Sequence, residues 1–143
     1  MSDSAQIIEM IARGSEAFKA VYYDALDNRR TSIAELIEPN APIIYNGNPM
    51  VGGAQYAELY AKMPVTAHDV TGFDCHPLMT ASPPGQIAIA LTVSGKVRVG
   101  TDRSKGLCGF SESFVLRPQP DGKYRVGSLC YRLIFKVSQD LEP

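Results

Sequence analysis

The hydrophobic period of this chain changes once, near residue 65, from helical spacing to alternation, and that switch limits the folds open to it. Residues 4–27 carry Ile7, Ile8, Ile11, Ser15, Phe18, Val21, Tyr22 and Ala25 at helical spacing, with Glu9, Arg13, Glu16, Lys19 and Asp24 largely off that stripe. The pattern predicts one long amphipathic helix. A short second helix is expected over Ser32–Glu38, where Ser32 and Glu35 have capping-box spacing and Pro39 ends the run. Ala41–Tyr45 reads as extended, and Asn46-Gly47-Asn48-Pro49 as a tight turn into Met50-Val51. Gly52-Gly53 breaks that strand, and a third helix over Ala54–Met63 places Tyr56, Leu59, Tyr60 and Met63 on one side before Pro64. Beyond residue 65, strands are expected at 66–76, 86–99, 109–117 and 123–137, separated by breaks at 81–85, 100–106 and 118–122. Helices first and a meander of long strands afterwards predict an α+β fold, with helices on one face of an antiparallel sheet.

At 143 residues the chain suits a single domain over 1–143, with enough core to fold without disulfides or metal. No apolar run reaches the roughly 20 residues needed to cross a bilayer as a helix, so no membrane insertion is expected. Net charge is −1, which excludes a global positive field drawing the chain to nucleic acid. The charge is split, however: residues 1–95 hold 5 basic and 10 acidic groups, and residues 96–143 hold 9 and 5. Cys75, Cys108 and Cys130 are widely spaced, and the N-terminus has no basic stretch followed by an apolar one. Buried, reduced thiols are the expectation, and His68 and His76 add too few ligands for a structural zinc site.

The segment 86–99 is the most informative. Ile87, Ile89, Leu91, Val93, Val97 and Val99 fall on one side of the strand and must face the core, with Gly95 interrupting. Ala88, Ala90, Thr92 and Ser94 fall on the other, too small to be an ordinary solvated face. In the last strand Val126, Cys130 and Ile134 are expected to share a side with Ser128 and Arg132, opposite Leu129, Tyr131, Leu133 and Phe135. Both sides are substantially apolar, so something beyond this chain's helices must cover the second face.

Several segments read in order resemble one family. These are Tyr22-Tyr23 leading to Asp27-Asn28-Arg29-Arg30, then Tyr45-Asn46-Gly47-Asn48, Met63-Pro64, Asp74-Cys75-His76-Pro77 and Cys130-Tyr131-Arg132. They are similar in type and spacing to the nuclear-transport-factor-two-related export proteins, the small subunits of the TAP-type mRNA export receptor. The resemblance spans roughly residues 5–135; Tyr45 stands where some relatives carry Trp, and the loop at 81–86 is this chain's own. It implies a cone-shaped fold, a bent antiparallel sheet wrapped over helices. It also implies a non-catalytic adaptor that pairs sheet to sheet with a domain of the same fold in the large export receptor. Such a pair carries mRNA through nuclear pores by way of Phe-Gly nucleoporins, which places it in nucleus and cytoplasm. No cofactor is implied.

On that reading the partner interface comprises Asp74, His76, Ala90, Thr92, Ser94 and Arg132, with Asp74 and Arg132 each meeting an opposite charge across the interface or between themselves. Asp74 and His76 share a phase with His68 and Val70 unless Gly72 introduces a bulge. Lys96, Arg98, Arg103 and Lys105 form a modest basic stretch, suited to at most weak RNA contact and more often a solvated edge. Arg29-Arg30 reads as charge at a helix end rather than a localisation signal. Two alternatives stand beside the adaptor: a homodimeric import carrier of the same fold, and a small cone-fold isomerase or dehydratase. The enzyme would use Glu112, which shares a side with Phe110, Phe114 and Leu116, with Tyr22, Tyr45 or Asp74 as its partner.

Overall fold

The computed structural model describes residues 2–78, 87–102 and 107–136. Helix α1 spans Ser2–Asn28, and a 3-10 helix follows at Arg30–Leu36. Strands β1 (Pro42–Tyr45) and β2 (Asn48–Val51) lead into α2 (Gly52–Ala61). Four long strands complete the chain: β3 (Thr66–Leu78), β4 (Ala88–Val99), β5 (Leu107–Pro118) and β6 (Tyr124–Lys136). Their order in the one sheet is β2-β1-β6-β5-β4-β3.

The α+β architecture follows the period switch, with three local corrections. The sheet is mixed rather than wholly antiparallel, because β1 runs parallel to β6 through Ile43 opposite Leu129. The 3-10 helix has Arg29 at its N-cap and no side-chain cap, so the Ser32–Glu35 capping box does not form. Helix α2 begins at Gly52 itself rather than after the glycine pair. The Asn46-Gly47 turn does form as expected: both residues have positive φ, 49° and 84°, the conformation that a two-residue hairpin loop needs.

Three register shifts interrupt the long strands, one of them between Gly109 and Phe110 on β5, where Ile134 of β6 is skipped. The register of β3 against β4 shifts between Val70 and Gly72. Val70 therefore points inward before the shift, while Phe73 and Cys75 point inward after it, and Asp74 and His76 turn to the outer face. Gly95 lies opposite this shift, and a Cβ there would sit 2.1 Å from the Asp69 carbonyl oxygen, so only glycine admits the bulged backbone. A second shift, between Val115 and Leu116 on β5, leaves Gly127 of β6 without a partner. It corrects the expected phase of β6: Val126 is fully buried, whereas Cys130, Arg132 and Ile134 are exposed. Ala88, expected on the small outer face, is buried too, where it pairs with Leu78 at the end of β3.

The core lies between the helices and the inner side of the sheet. Ile11, Phe18, Tyr22 and Leu26 of α1 meet Ile89, Leu91, Val93, Phe110 and Phe114 there. Arg30 ties the helix ends together. Its guanidinium donates to the carbonyls of Leu26 (2.9 Å), Tyr60 (2.7 Å), Met63 (2.8 Å) and Pro64 (2.6 Å), and lies 5.3 Å over the Tyr60 ring. These include carbonyls in the last turns of α1 (Leu26) and α2 (Tyr60), where a cation is also favoured by the helix dipole. Arg29, by contrast, pairs with Asp24 on the surface. Arg30→Met should therefore cost about 2–4 kcal/mol of stability by leaving several carbonyls without their charged donor. Arg29→Ala should change it by less than about 0.5 kcal/mol, and urea unfolding of the two variants reads the contrast.

Candidate docking face

Both helices and the 3-10 helix pack on one side of the sheet, and the opposite side is open. Strand pairing arranges that side in rows across β3, β4, β5 and β6. One row runs His76, Ala90, Val115, Ser128, and the next runs Asp74, Thr92, Ser113, Cys130, continuing to Ile44 on β1. The third runs Gly72, Ser94, Ser111, Arg132. The centre of the face is thus made of Ala, Ser, Thr and Cys side chains. Pro42, Ile44, Ala90, Thr92, Ser113 and Cys130 help line a shallow depression of about 450 Å³ there. Ile44 (45% exposed) and Ile134 (55%) add apolar surface on the β1–β6 side.

All six residues read from the sequence as interface, namely Asp74, His76, Ala90, Thr92, Ser94 and Arg132, lie on this face. His76 stands beside Ala90 and Asp74 beside Thr92. Asp74 and Arg132 are not brought together. They stand three strands apart, about 14 Å at the usual strand spacing, and in different rows. Ser111, Ser113, Cys130 and Ile44 belong to the same face and were not singled out from sequence. The signal for the serines was present, since an inward Glu112 forces both of its neighbours outward. Cys75 and Cys108 are half-buried, and Cys130 is exposed, which corrects the expectation of mostly buried thiols. Lys96 is exposed and faces Asp69 in register, and Arg98 is half-buried opposite Ala67. Arg103 and Lys105 lie outside the described residues.

Behind the open face the interior is polar at its centre. Glu112 is fully buried and accepts hydrogen bonds from Tyr22 (2.5 Å) and Tyr23 (2.8 Å), with Tyr56 at 3.5 Å. Burial pushes its carboxyl up to about 8, against the opposing effect of the tyrosine hydroxyls. Six of the seven tyrosines, all but Tyr124, gather in this region. The depression of about 450 Å³ opens on the far side of the sheet, and a pocket of about 410 Å³ lies between α1, Leu36 of the 3-10 helix and the turn at Gly122–Tyr124. Neither is lined by Glu112. Asp74, one imagined proton-transfer partner, is on the outer face, and Tyr45 stacks on Tyr131 instead of bonding Glu112. Only Tyr22 of the three is in contact.

Beside this cage stands a second, partly buried polar cluster. Asp27 accepts from the His68 backbone N–H and from Thr66 Oγ1, each at 2.7 Å, and meets His68 Nδ1 at 2.7 Å. The other ring nitrogen, Nε2, lies 2.9 Å from the Tyr131 hydroxyl. Among the described residues no group of His, Cys, Asp and Glu has metal-site geometry.

The chain matches the Nuclear transport factor 2 (NTF2) domain over residues 14–133 and belongs to that family. It is 31% identical over 129 residues to an NTF2-related export protein of Caenorhabditis elegans, covering 88% of this chain and 90% of the relative. It is 24% identical over 133 residues to NTF2-related export protein 1 of Bos taurus, covering 91% and 93%. Among solved structures, nuclear transport factor 2 of Cryptosporidium parvum superposes with a TM-score of 0.73 at 19% identity, over 86% of this chain and 94% of that one. A chain of the Candida albicans Mtr2-Mex67 M domain complex superposes with a TM-score of 0.67 at 19% identity, over 87% and 96%. A structure assigned as a scytalone dehydratase from Novosphingobium aromaticivorans also shares the fold, with a TM-score of 0.69 at 17% identity over 96% and 91%. The cone fold thus houses transport factors and enzymes alike, while the two curated relatives carry export names.

The Asp27 cluster has its own pH signature. Partial burial raises the Asp27 carboxyl, but the His68 and Thr66 hydrogen bonds outweigh it and hold the group below its ordinary value. A carboxylate lowered in the folded state contributes stability that is present at neutral pH and lost as pH falls through its folded value. Asp27→Asn should accordingly cost about 1–3 kcal/mol at pH 7, allowing for partial solvent screening. It should also flatten the loss of stability below about pH 4, measured by urea unfolding across pH.

Proposed function

We propose that this protein is the small, non-catalytic subunit of an mRNA export receptor, and that its open sheet face pairs with a domain of the same fold in the large subunit. The observation that carries this reading is the open face itself. Thr92, Ser94, Ser111 and Ser113 are short enough for another sheet to approach to about 10 Å, the spacing of packed sheets. Long solvated side chains would forbid that approach. The export names of the relatives, matched over nine-tenths of both chains in the Bos taurus case, support the same role. So does the likeness of the fold to a chain of the Mtr2-Mex67 complex, whose name describes such a pairing in that protein.

The interface residues are Asp74, His76, Ala90, Thr92, Ser94 and Arg132. Among the described residues neither Asp74 nor Arg132 is ion-paired, and each would be matched by an opposite charge of the partner. Phe-Gly nucleoporins are contacted through the assembled pair, and Lys96 and Arg98 supply at most weak, salt-sensitive contact with RNA. The pair shuttles between nucleus and cytoplasm through nuclear pores.

Affinity purification of the tagged chain should recover a larger protein containing a domain of this fold in equal amount. Recovery of only a second copy of the chain would assign the face to self-pairing, and recovery of a small GTPase alone would favour an import carrier. Thr92→Arg places a charge at the centre of the face without a partner, and should weaken the complex about a hundredfold or more, equivalent to about 3 kcal/mol. Arg132→Glu and Asp74→Arg should each cost about 2–5 kcal/mol of association, and a compensating charge on the partner should recover part of it. Circular dichroism of all three variants should match the parent, because none of these side chains enters the core. Undiminished co-purification of Thr92→Arg and Arg132→Glu would refute the assignment of the face.

A further inference from the structure

We propose that Glu112 and the tyrosine hydroxyls around it form an internal proton-binding site, which ties the stability of the cone to pH through the central strand of its open face. The site is built from three elements. β5 contributes Glu112, α1 contributes Tyr22 and Tyr23, and α2 contributes Tyr56. Tyr22 and Tyr56 are themselves joined, hydroxyl to hydroxyl, at 2.8 Å.

Both protonation states can be satisfied by the same heavy atoms. When the carboxyl is ionised, Tyr22 and Tyr23 donate to its two oxygens and Tyr56 donates to Tyr22. When it is neutral, its own O–H donates to Tyr22, Tyr22 donates to Tyr56, the Tyr56 proton turns toward the Tyr60 hydroxyl, and Tyr23 still donates to Oε1. Only hydroxyl protons move between the two, and the proton gained comes from solvent. The site therefore holds a proton without rebuilding the core, and the balance between its states is set by electrostatics.

That balance favours the neutral form. The groups facing Glu112 are tyrosines from α1 (Tyr22, Tyr23), α2 (Tyr56, Tyr60), β1 (Tyr45) and β6 (Tyr131), with the Asp27–His68 pair of α1 and β3 beyond Tyr23. Within this set the nearest group able to become a cation, His68, is engaged by Asp27 and Tyr131. Arg30 lies against Tyr60, with its donors on main-chain carbonyls. Three hydroxyls without a cation stabilise a fully buried carboxylate less than water does, in keeping with a carboxyl raised to about 8.

The sign follows from proton linkage. Between the value of a free glutamate, near 4.5, and about 8, the folded chain holds a proton that the unfolded chain has lost. Stability from this group is therefore full below that window, falls as pH rises through it, and levels off above. The window is opposite in sense to that of Asp27. Because Ser111 and Ser113 flank Glu112 on β5 and face outward, the strand that responds is also the middle of the open face. The effect does not depend on what occupies that face, so it stands or falls separately from the proposed function.

The test compares the parent chain with Glu112→Gln by urea unfolding at steps from pH 5 to pH 9. The unfolding equilibrium constant of the parent, relative to the variant, should rise by up to tenfold per pH unit between about pH 5 and 8 and then level off. His68 and Asp27 are present in both and cancel. A carbon NMR titration of the parent's Glu112 carboxyl provides an independent measure and requires no variant, should Gln fail to fold. It should show a neutral carboxyl at pH 6, and Tyr22→Phe, which removes one donor to the carboxylate, should move the titration to still higher pH. Parallel stability profiles, or a Glu112 carboxyl that titrates between pH 4 and 5 and ignores Tyr22→Phe, would overturn the proposal.

Discussion

The contact between Glu112 and the tyrosine hydroxyls of Tyr22, Tyr23 and Tyr56 is where β5, α1 and α2 are held to one another by polar groups as well as by packing. Glu112 is the one fully buried carboxyl among the described residues. A buried carboxyl must find donors, and those donors sit at fixed positions on two helices, so the contact specifies how the helices dock over the sheet. It also fixes the phase of β5: with residue 112 inward, Phe110, Phe114 and Leu116 join the core and Ser111 and Ser113 are forced out. The composition of the open face is in this sense the reverse side of the interior.

Bulges divide the remaining work. A long strand with a single phase would present one face throughout, but β3 shifts register at Val70/Gly72 and β6 at Gly127, with a further shift at Ile134. The first lets His68 reach Asp27 and Tyr131 inside while Asp74 and His76 stand outside, on the same strand. The second buries Val126 without burying Arg132. Each bulge bends its strand and adds twist, which suits a sheet wrapped around helices.

The interior and the outer face separate two kinds of chemistry that this fold supports. Its hollow side holds acids, a histidine and tyrosines, the group types used in proton transfer, but here they are closed in by aromatic packing: Phe18 and Tyr22 each meet Phe114 edge to face, and Phe110 lies flat on Tyr131. The outer side holds small residues with charges at separated points. A surface of that kind suits another protein better than a small molecule, since its depression is broad and shallow and its polar groups do not converge.

The sequence by itself determined the order of elements and the core side of β4, because hydrophobic periodicity reports local geometry directly. It also located the Asn46-Gly47 hairpin, whose positive φ angles belong to those two residue types. That Ala90, Thr92 and Ser94 lie opposite the core side of β4 was legible from alternation. What only the tertiary structure decided depends on partners distant in the chain. The parallel pairing of β1 with β6 joins residues some 86 positions apart, and alternation within either strand carries no trace of it. The side on which Val126 lies follows from a bulge that β6 forms only against β5. The clustering of Glu112 with tyrosines from α1 and α2 follows from how the helices cross the sheet, as does the separation of Asp74 from Arg132 by three strands. Periodicity gives each side chain a direction relative to its own element, and the position of one element against another is set by packing, which no local pattern encodes.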